Sequence, residues 1–346
     1  MTSGDARRVA AGWVQDRGRH QAGFVGAYLA GSILDLPDGA PLPDTSDVDV
    51  NVVVEDGAPV PGRYKVVVDG VLVEVSTFPR VAVATPEAVL GHYHLAGGFR
   101  RPGLLADPTG HLDVIRVVVE REFAADEWVR RRCMHARDRI VAQVDALDVD
   151  GPWHDIVLAW LFATGVTAHV PLVAALRNPT VRRRYAAVRP VMEEAGHGQA
   201  YAGLLSLLGV DRLDASRVEA HLEAVAATFD VVAAVLGESG HVARYPFGTD
   251  LTRVARALSI DGSRTLIADG MAREAAFWIA VTGARCLHVL AAEAPALLPA
   301  HAPAFRAVTD DLGLASPDHV RQRAEAVRAC LPGLWEVAMA ITGGRR

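Results

Sequence analysis

Lysine is almost missing from this chain: among 35 basic residues only Lys65 is a lysine, and the others are arginines. A phosphate-holding side chain, where one is needed, is therefore expected to be arginine, whose planar fork serves that role well. Cysteine is scarce too. Cys133, Cys286 and Cys330 are odd in number and form no CxxC, so they read as buried thiols in a reducing cytosol rather than as a disulfide framework. Surplus positive charge is absent, and the net charge of −6 argues against nucleic acid as a partner. The first twenty residues lack the apolar core of a signal peptide. One uncharged run, Ile156 to Leu176, has the length of a membrane span. Gly165, His169 and Pro171 interrupt it, which favours a buried helix followed by a break. The expected location is the cytoplasm, with no membrane contact. What the chain does have is size and apolar residues: 346 residues, 51% of them hydrophobic, suffice for two or three domains with ample core.

The most informative stretch runs from Val25 to Phe78. It contains an apolar run closed by Gly31-Ser32, a loop rich in proline and glycine, then TSDVDVNVVVEDG, then YKVVVDGVLVEVSTF. Side chains alternate faces along a strand, so Asp47, Asp49 and Asn51 share one face and Val48, Val50 and Val52 the other. In VLVEVS, Glu74 lies with Leu72 and Ser76, opposite Val71, Val73 and Val75. If the two strands are neighbours, Glu74 meets the aspartates. At about 7 Å and an effective dielectric of about 20, each carboxylate pair repels by roughly 2 kcal/mol. Protonation or a cation removes that repulsion, and hard cations such as Mg²⁺ favour oxygen ligands. Taken alone, the aspartate pair fits an edge strand with a solvated face equally well.

Gly31-Ser32 adds a turn where the backbone can approach a ligand and present N–H groups to phosphate. A glycine-serine turn after a strand, Asp-Val-Asp-Val opening the next, and a carboxylate on a strand after a hairpin form a specific combination. It resembles the signature of the polymerase-β-type nucleotidyltransferase superfamily. The resemblance implies that Gly31 and Ser32 hold the phosphates of a nucleoside triphosphate such as ATP. It also implies that Asp47, Asp49 and Glu74 hold two Mg²⁺ ions. Val73-Glu74-Val75-Ser76 is similar to the streptomycin/spectinomycin adenylyltransferase branch, where that glutamate acts as general base toward a substrate hydroxyl. The loop of fourteen residues between Ser32 and Asp47 is longer than compact members carry. The motif covers about a sixth of the chain.

The expected fold class is α+β: a small mixed β-sheet domain over residues 1–122, then an all-helical domain over 123–346 with a break near 237–250. Strands are expected over Phe24–Ala30, Val48–Val54, Tyr64–Val68 and Val71–Phe78, with a further strand in GLLADPTG. Asp69-Gly70 marks a type I′ hairpin turn. Helices are expected over 5–20, from Pro86 to about Leu95, and over 126–147, 154–170, 180–195, 217–236, 250–258, 264–292 and 317–341. Ser216-x-x-Glu219 reads as a capping box, and Thr85-Pro86 and Ser316-Pro317 as N-caps followed by proline.

Lesser candidates each have a bland reading beside the functional one. Arg182-Arg183-Arg184 reads as an exposed helix face before a phosphate clamp, and Arg273-Glu274 as an ion pair at a helix start. His92 and His94 lack a third metal ligand, and His288 beside Cys286 reads as a satisfied core histidine. Trp153, Trp160 and Trp278 lie on apolar stripes and read as core. Arg130-x4-His135 matches the spacing of some helical ribonucleases by chance. The principal expectation is transfer of AMP from ATP to a hydroxyl of a small, aminoglycoside-like molecule. Alternatives are nucleotidyl transfer to protein or tRNA, and nucleotide binding without turnover.

Overall fold

Alternating valines build the centre of the protein. The computed structural model describes residues 1–345 and is α+β, with one mixed sheet in the N-terminal part and helices after it. The strands are β1 (Phe24–Ala30), β2 (Val48–Val54), β3 (Arg63–Val68), β4 (Val71–Pro79) and β5 (Leu104–Ala106), in spatial order β3-β4-β2-β1-β5. β2 and β4 are parallel and the other pairings antiparallel. Asp69 and Gly70 join β3 to β4 with φ of 45° and 79°, the left-handed pair that a type I′ turn requires.

Two apolar layers sandwich the sheet. On one side Val48, Val50, Val52, Val71, Val73 and Val75 pack against Ala6, Ala10, Trp13 and Val14 of helix α1 (Ser3–Asp16). On the other side Val53 and Phe78 pack with α2 (Pro86–Gly91), α3 (Ala96–Phe99) and α4 (His111–Glu122), through Val89, Phe99, Leu112 and Ile115. The long proline-bearing loop is tied to the start of α1. Ser3 N donates to Ala40 O at 2.8 Å and Gly4 N to Asp38 O at 2.9 Å, while Arg7 donates to Ile33 O, Leu36 O and Asp38.

The remaining helices are α5 (Asp126–Asp145), α6 (Trp153–Gly165), α7 (His169–Ala174), α8 (Arg184–Glu194), α9 (Gly198–Leu208) and α10 (Ala215–Ser239). They are followed by α11 (Gly262–Ala268), α12 (Ala272–Glu293), α13 (Leu298–Asp311) and α14 (Pro317–Gly344). The chain forms two compact units: Met1–Arg132 with Arg244–Asp250, and Cys133–Ala243 with Leu251 onward. In the second unit α12 is the axis. Phe277 in its second turn is fully buried against Tyr185 and Phe162, with the Arg184 guanidinium 4.3 Å from its ring centroid. Trp153–Ala174, Ala215–Ser239 and Ala272–Glu293 are each long and apolar enough to cross a membrane, but the first and last have 83% of their most apolar window buried inside the protein. Packing on all sides accounts for apolar residues on all sides.

Thr85 and Ser316 cap as expected, accepting from Ala88 N and His319 N. The cap of α10 is instead Asp214, which accepts from Arg217 N at 2.8 Å, two residues before the Ser216 box. The helix expected from residue 180 starts at Arg184, the one expected from 5 to 20 spans Ser3–Asp16, and 264–292 is two helices. Residues 250–258 form 3₁₀ turns and the start of a π-helical turn, Ala257–Asp261. Helices α4, α9 and α13 were not expected. Valines 114, 117, 118 and 119 give α4 the composition of a strand, and Pro299 and Pro303 give α13 that of a loop. Phe277→Ala is expected to destabilise the helical unit by about 3–5 kcal/mol, read from its urea unfolding transition. A loss under about 1 kcal/mol would mean that α12 is not the packed axis.

Candidate active site

Strand register brings the expected carboxylates together. In the parallel β2–β4 ladder Asp49 pairs with Glu74, and in the β3–β4 ladder Lys65 pairs with Glu74 and Arg63 with Ser76. Asp47 lies two residues before Asp49 and so joins the same face. One carboxylate oxygen from each of Asp47, Asp49 and Glu74 lies within 4.8 Å of the others. The helices over this face pack on Val53 and Phe78, near the far ends of β2 and β4.

Two cations and a fourth carboxylate complete the cluster, none of them anticipated from sequence. Lys65 Nζ donates to Asp47 Oδ2 at 2.5 Å and to Glu74 Oε2, and lies 3.5 Å from Asp250 Oδ1. Arg63 Nη1 donates to both Glu74 oxygens at 3.3 and 3.4 Å, and its Nη2 donates to Asp250. The one lysine of the chain thus binds protein carboxylates. Burial works against its charge, but Asp47, Glu74 and Asp250 outweigh that and raise its pKa. The alternation Arg63-x-Lys65 opposite Glu74 was a usable signal; nothing local marks Asp250, which follows Glu74 by more than a hundred residues.

Asp49 is different. It has no hydrogen-bond or ion-pair partner among the described residues, although part of it stays open to solvent. Burial, then the charges of Asp47 and Glu74, push its carboxyl well above the usual carboxylate range against the pull of Lys65 and Arg63. Gly31 abuts it. With φ of +69°, a Cβ on Gly31 would sit 1.8 Å from Asp49 Oδ2, so both backbone conformation and space demand glycine there. Ser32 follows, exposed, in the 3₁₀ turn Gly31–Asp35 that leaves β1. All five expected residues therefore lie in one neighbourhood of the sheet unit.

With all groups ionised, four carboxylates face two cations, an excess of two negative charges. Oxygen-only donors, an unpartnered carboxylate and that excess fit a hard divalent cation such as Mg²⁺. Asp47, Asp49 and Glu74 are the side chains able to hold it.

The lesser candidates fall elsewhere. Of the arginine triplet only Arg183 is exposed: Arg184 is buried and donates to Val181 O, and Arg182 packs on Gly262, which overturns the exposed-face reading. Arg273 and Glu274 do not pair. Arg273 donates to Leu213 O, and buried Glu274 accepts from the Tyr201 hydroxyl at 2.5 Å. His92 Nδ1 accepts from the backbone N–H groups of His94 and Leu95, a turn rather than a metal site. Trp160 and Trp278 are core, while Trp153 is half-buried and donates to Thr309 Oγ1. His288 is no core histidine: it is 38% exposed and bonded to Asp155.

No protein-family model matches the chain, and no curated protein matches it.

The upward shift of the Asp49 carboxyl carries a stability consequence with a definite sign. Its folded-state pKa lies above the unfolded value near 3.9. Between those two values the folded chain keeps a proton that the unfolded chain has released, so folding weakens as pH rises through that window. Asp49→Asn is expected to melt above wild type at about pH 7, with the difference closing as pH falls toward about 4. A variant that melts at or below wild type in neutral buffer would contradict the assignment of Asp49 as a carboxylate whose ionised form is disfavoured in the folded chain.

Proposed function

We propose that the protein is a metal-dependent nucleotidyltransferase that moves a nucleoside monophosphate, AMP in the first instance, onto a hydroxyl of a small molecule. The observation that carries this reading is the β2–β4 register. It aligns Asp49 with Glu74 on one face while the Gly31 turn closes directly on the Asp49 carboxylate. Carboxylates beside a glycine turn supply what transfer at a phosphorus needs, namely anchoring of cations and close approach of backbone to phosphate.

In this reading Asp47 and Asp49 are metal ligands, Gly31 and Ser32 receive the triphosphate, and Glu74 is the general base. Bound Mg²⁺ would supply Lewis-acid stabilisation of charge on the phosphate oxygens. The acceptor oxygen bonds to the α-phosphorus as the bond from that phosphorus to its β-bridging oxygen breaks. Pyrophosphate leaves with the electron pair, and the acceptor proton passes to a Glu74 carboxylate oxygen. Lys65 and Arg63 orient that carboxylate. The excess of two negative charges matches one divalent ion held by the chain, the second arriving with the triphosphate. A cationic, hydroxylated acceptor such as an aminoglycoside suits a cluster of this sign.

The test combines Mg²⁺, each nucleoside triphosphate and a panel of polyhydroxylated amines, with the adduct read by mass spectrometry and pyrophosphate by enzymatic assay. Glu74→Gln is expected to lower turnover by about 10²–10⁴-fold with its circular dichroism spectrum unchanged. Wild-type turnover in that variant, or no pyrophosphate from any triphosphate, would overturn the reading.

A further inference from the structure

A second ligand-bearing cluster lies in the helical unit. His154 and Asp155 open α6, and His288 lies near the end of α12. His288 Nδ1 and Asp155 Oδ1 are 2.6 Å apart, and Asp155 Oδ2 is 3.8 Å from His154 Nε2. The imidazole planes are nearly perpendicular, at 83°, with centroids 5.9 Å apart. One ligand atom from each residue lies within 4.8 Å of the others.

An Asp155–His288 ion pair explains the short contact but not His154. That side chain is only 10% exposed and turns Nε2 toward the same carboxylate, yet it makes no hydrogen bond with any described residue. A mostly buried imidazole whose Nε2 stops 3.8 Å from the carboxylate it faces has an ion-pair contact but no hydrogen bond there, which calls for an explanation.

We propose that His154, Asp155 and His288 form a binding site for a divalent first-row transition metal, zinc foremost. Two imidazoles and one carboxylate are donors that zinc accepts and that Mg²⁺ and Ca²⁺, which favour all-oxygen shells, do not select. Three protein ligands leave a fourth tetrahedral position. Asp155 and His288 are 37% and 38% exposed, so that position faces solvent and can take water or an exogenous ligand. The metal would fasten the start of α6 to the end of α12. The site is chemically distinct from the oxygen-only cluster of Asp47, Asp49 and Glu74, and does not depend on the transferase reading.

The full-length chain is titrated with Co²⁺, which reports ligand number through its visible absorption, and with Zn²⁺ in competition with a chromophoric chelator. Thermal melts accompany both. Wild type is expected to give a saturable cobalt band, a zinc-dependent rise in Tm and about one equivalent bound. His288→Ala, at a half-buried position and with its fold checked by circular dichroism, is expected to lose the band and bind zinc more than about 10-fold more weakly. Asp49→Asn is expected to retain both. Absence of a saturable band in wild type, or undiminished binding in both His288→Ala and His154→Ala, would overturn the site.

Discussion

The period-two valine pattern of β2 and β4 is the constraint that orders the sheet unit, and it gathers Asp47, Asp49 and Glu74 against their mutual repulsion. The valine alternation in β2 and β4 drives one face of each strand into the α1 core, and the same period forces the carboxylates onto the other face. A one-residue slip would bury the acids under α1, so the hydrophobic pattern that stabilises the sheet also fixes the acidic cluster. The cost of that placement is offset locally: Lys65 holds Asp47 and Glu74, and Arg63 spans Glu74 and Asp250. Asp49 is left without such help, and the Gly31 turn closes against it.

That asymmetry gives the cluster its chemical character. A fully paired network of buried charges would be structural, and breaking any pair would chiefly destabilise the fold. Here one carboxylate stays uncompensated beside a backbone turn that tolerates no side chain. An acidic group held in this way costs stability, since burial and the charges of Asp47 and Glu74 both disfavour its ionised form. Asp250, brought in by a short segment that follows the long helix α10, helps to fix both Lys65 and Arg63.

Much of the sheet was readable from the sequence because strand period and turn chemistry agree there. Phe24–Ala30 and Val48–Val54 have the expected bounds, and Asp69-Gly70 makes the expected turn. The meeting of Asp47, Asp49 and Glu74 followed from alternation once β2 and β4 were neighbours, a pairing that sequence offers only as a condition. Lys65 went unread because its rarity looked like a matter of composition, although its position opposite Glu74 was visible. Asp250 could not be read, since no periodicity links residues so far apart. In the helical unit, composition misled where it opposed tertiary packing: valine-rich α4 and proline-bearing α13 are helices because neighbouring elements cover one face of each. His288 was misjudged for a related reason, its apolar neighbours along α12 hiding the contact with Asp155 at the start of α6.

On the proposed reading, Asp49 is the carboxylate reserved for a divalent cation. Electron paramagnetic resonance of Mn²⁺ measures this directly, because the free ion's six-line signal is lost on binding. The background is the chain carrying His154→Ala and His288→Ala, which silences the second cluster. In it, about one Mn²⁺ is expected to bind per chain, and adding Asp49→Asn is expected to weaken that binding by more than about 10-fold. Equal Mn²⁺ affinity with and without the Asp49 carboxylate would contradict the account.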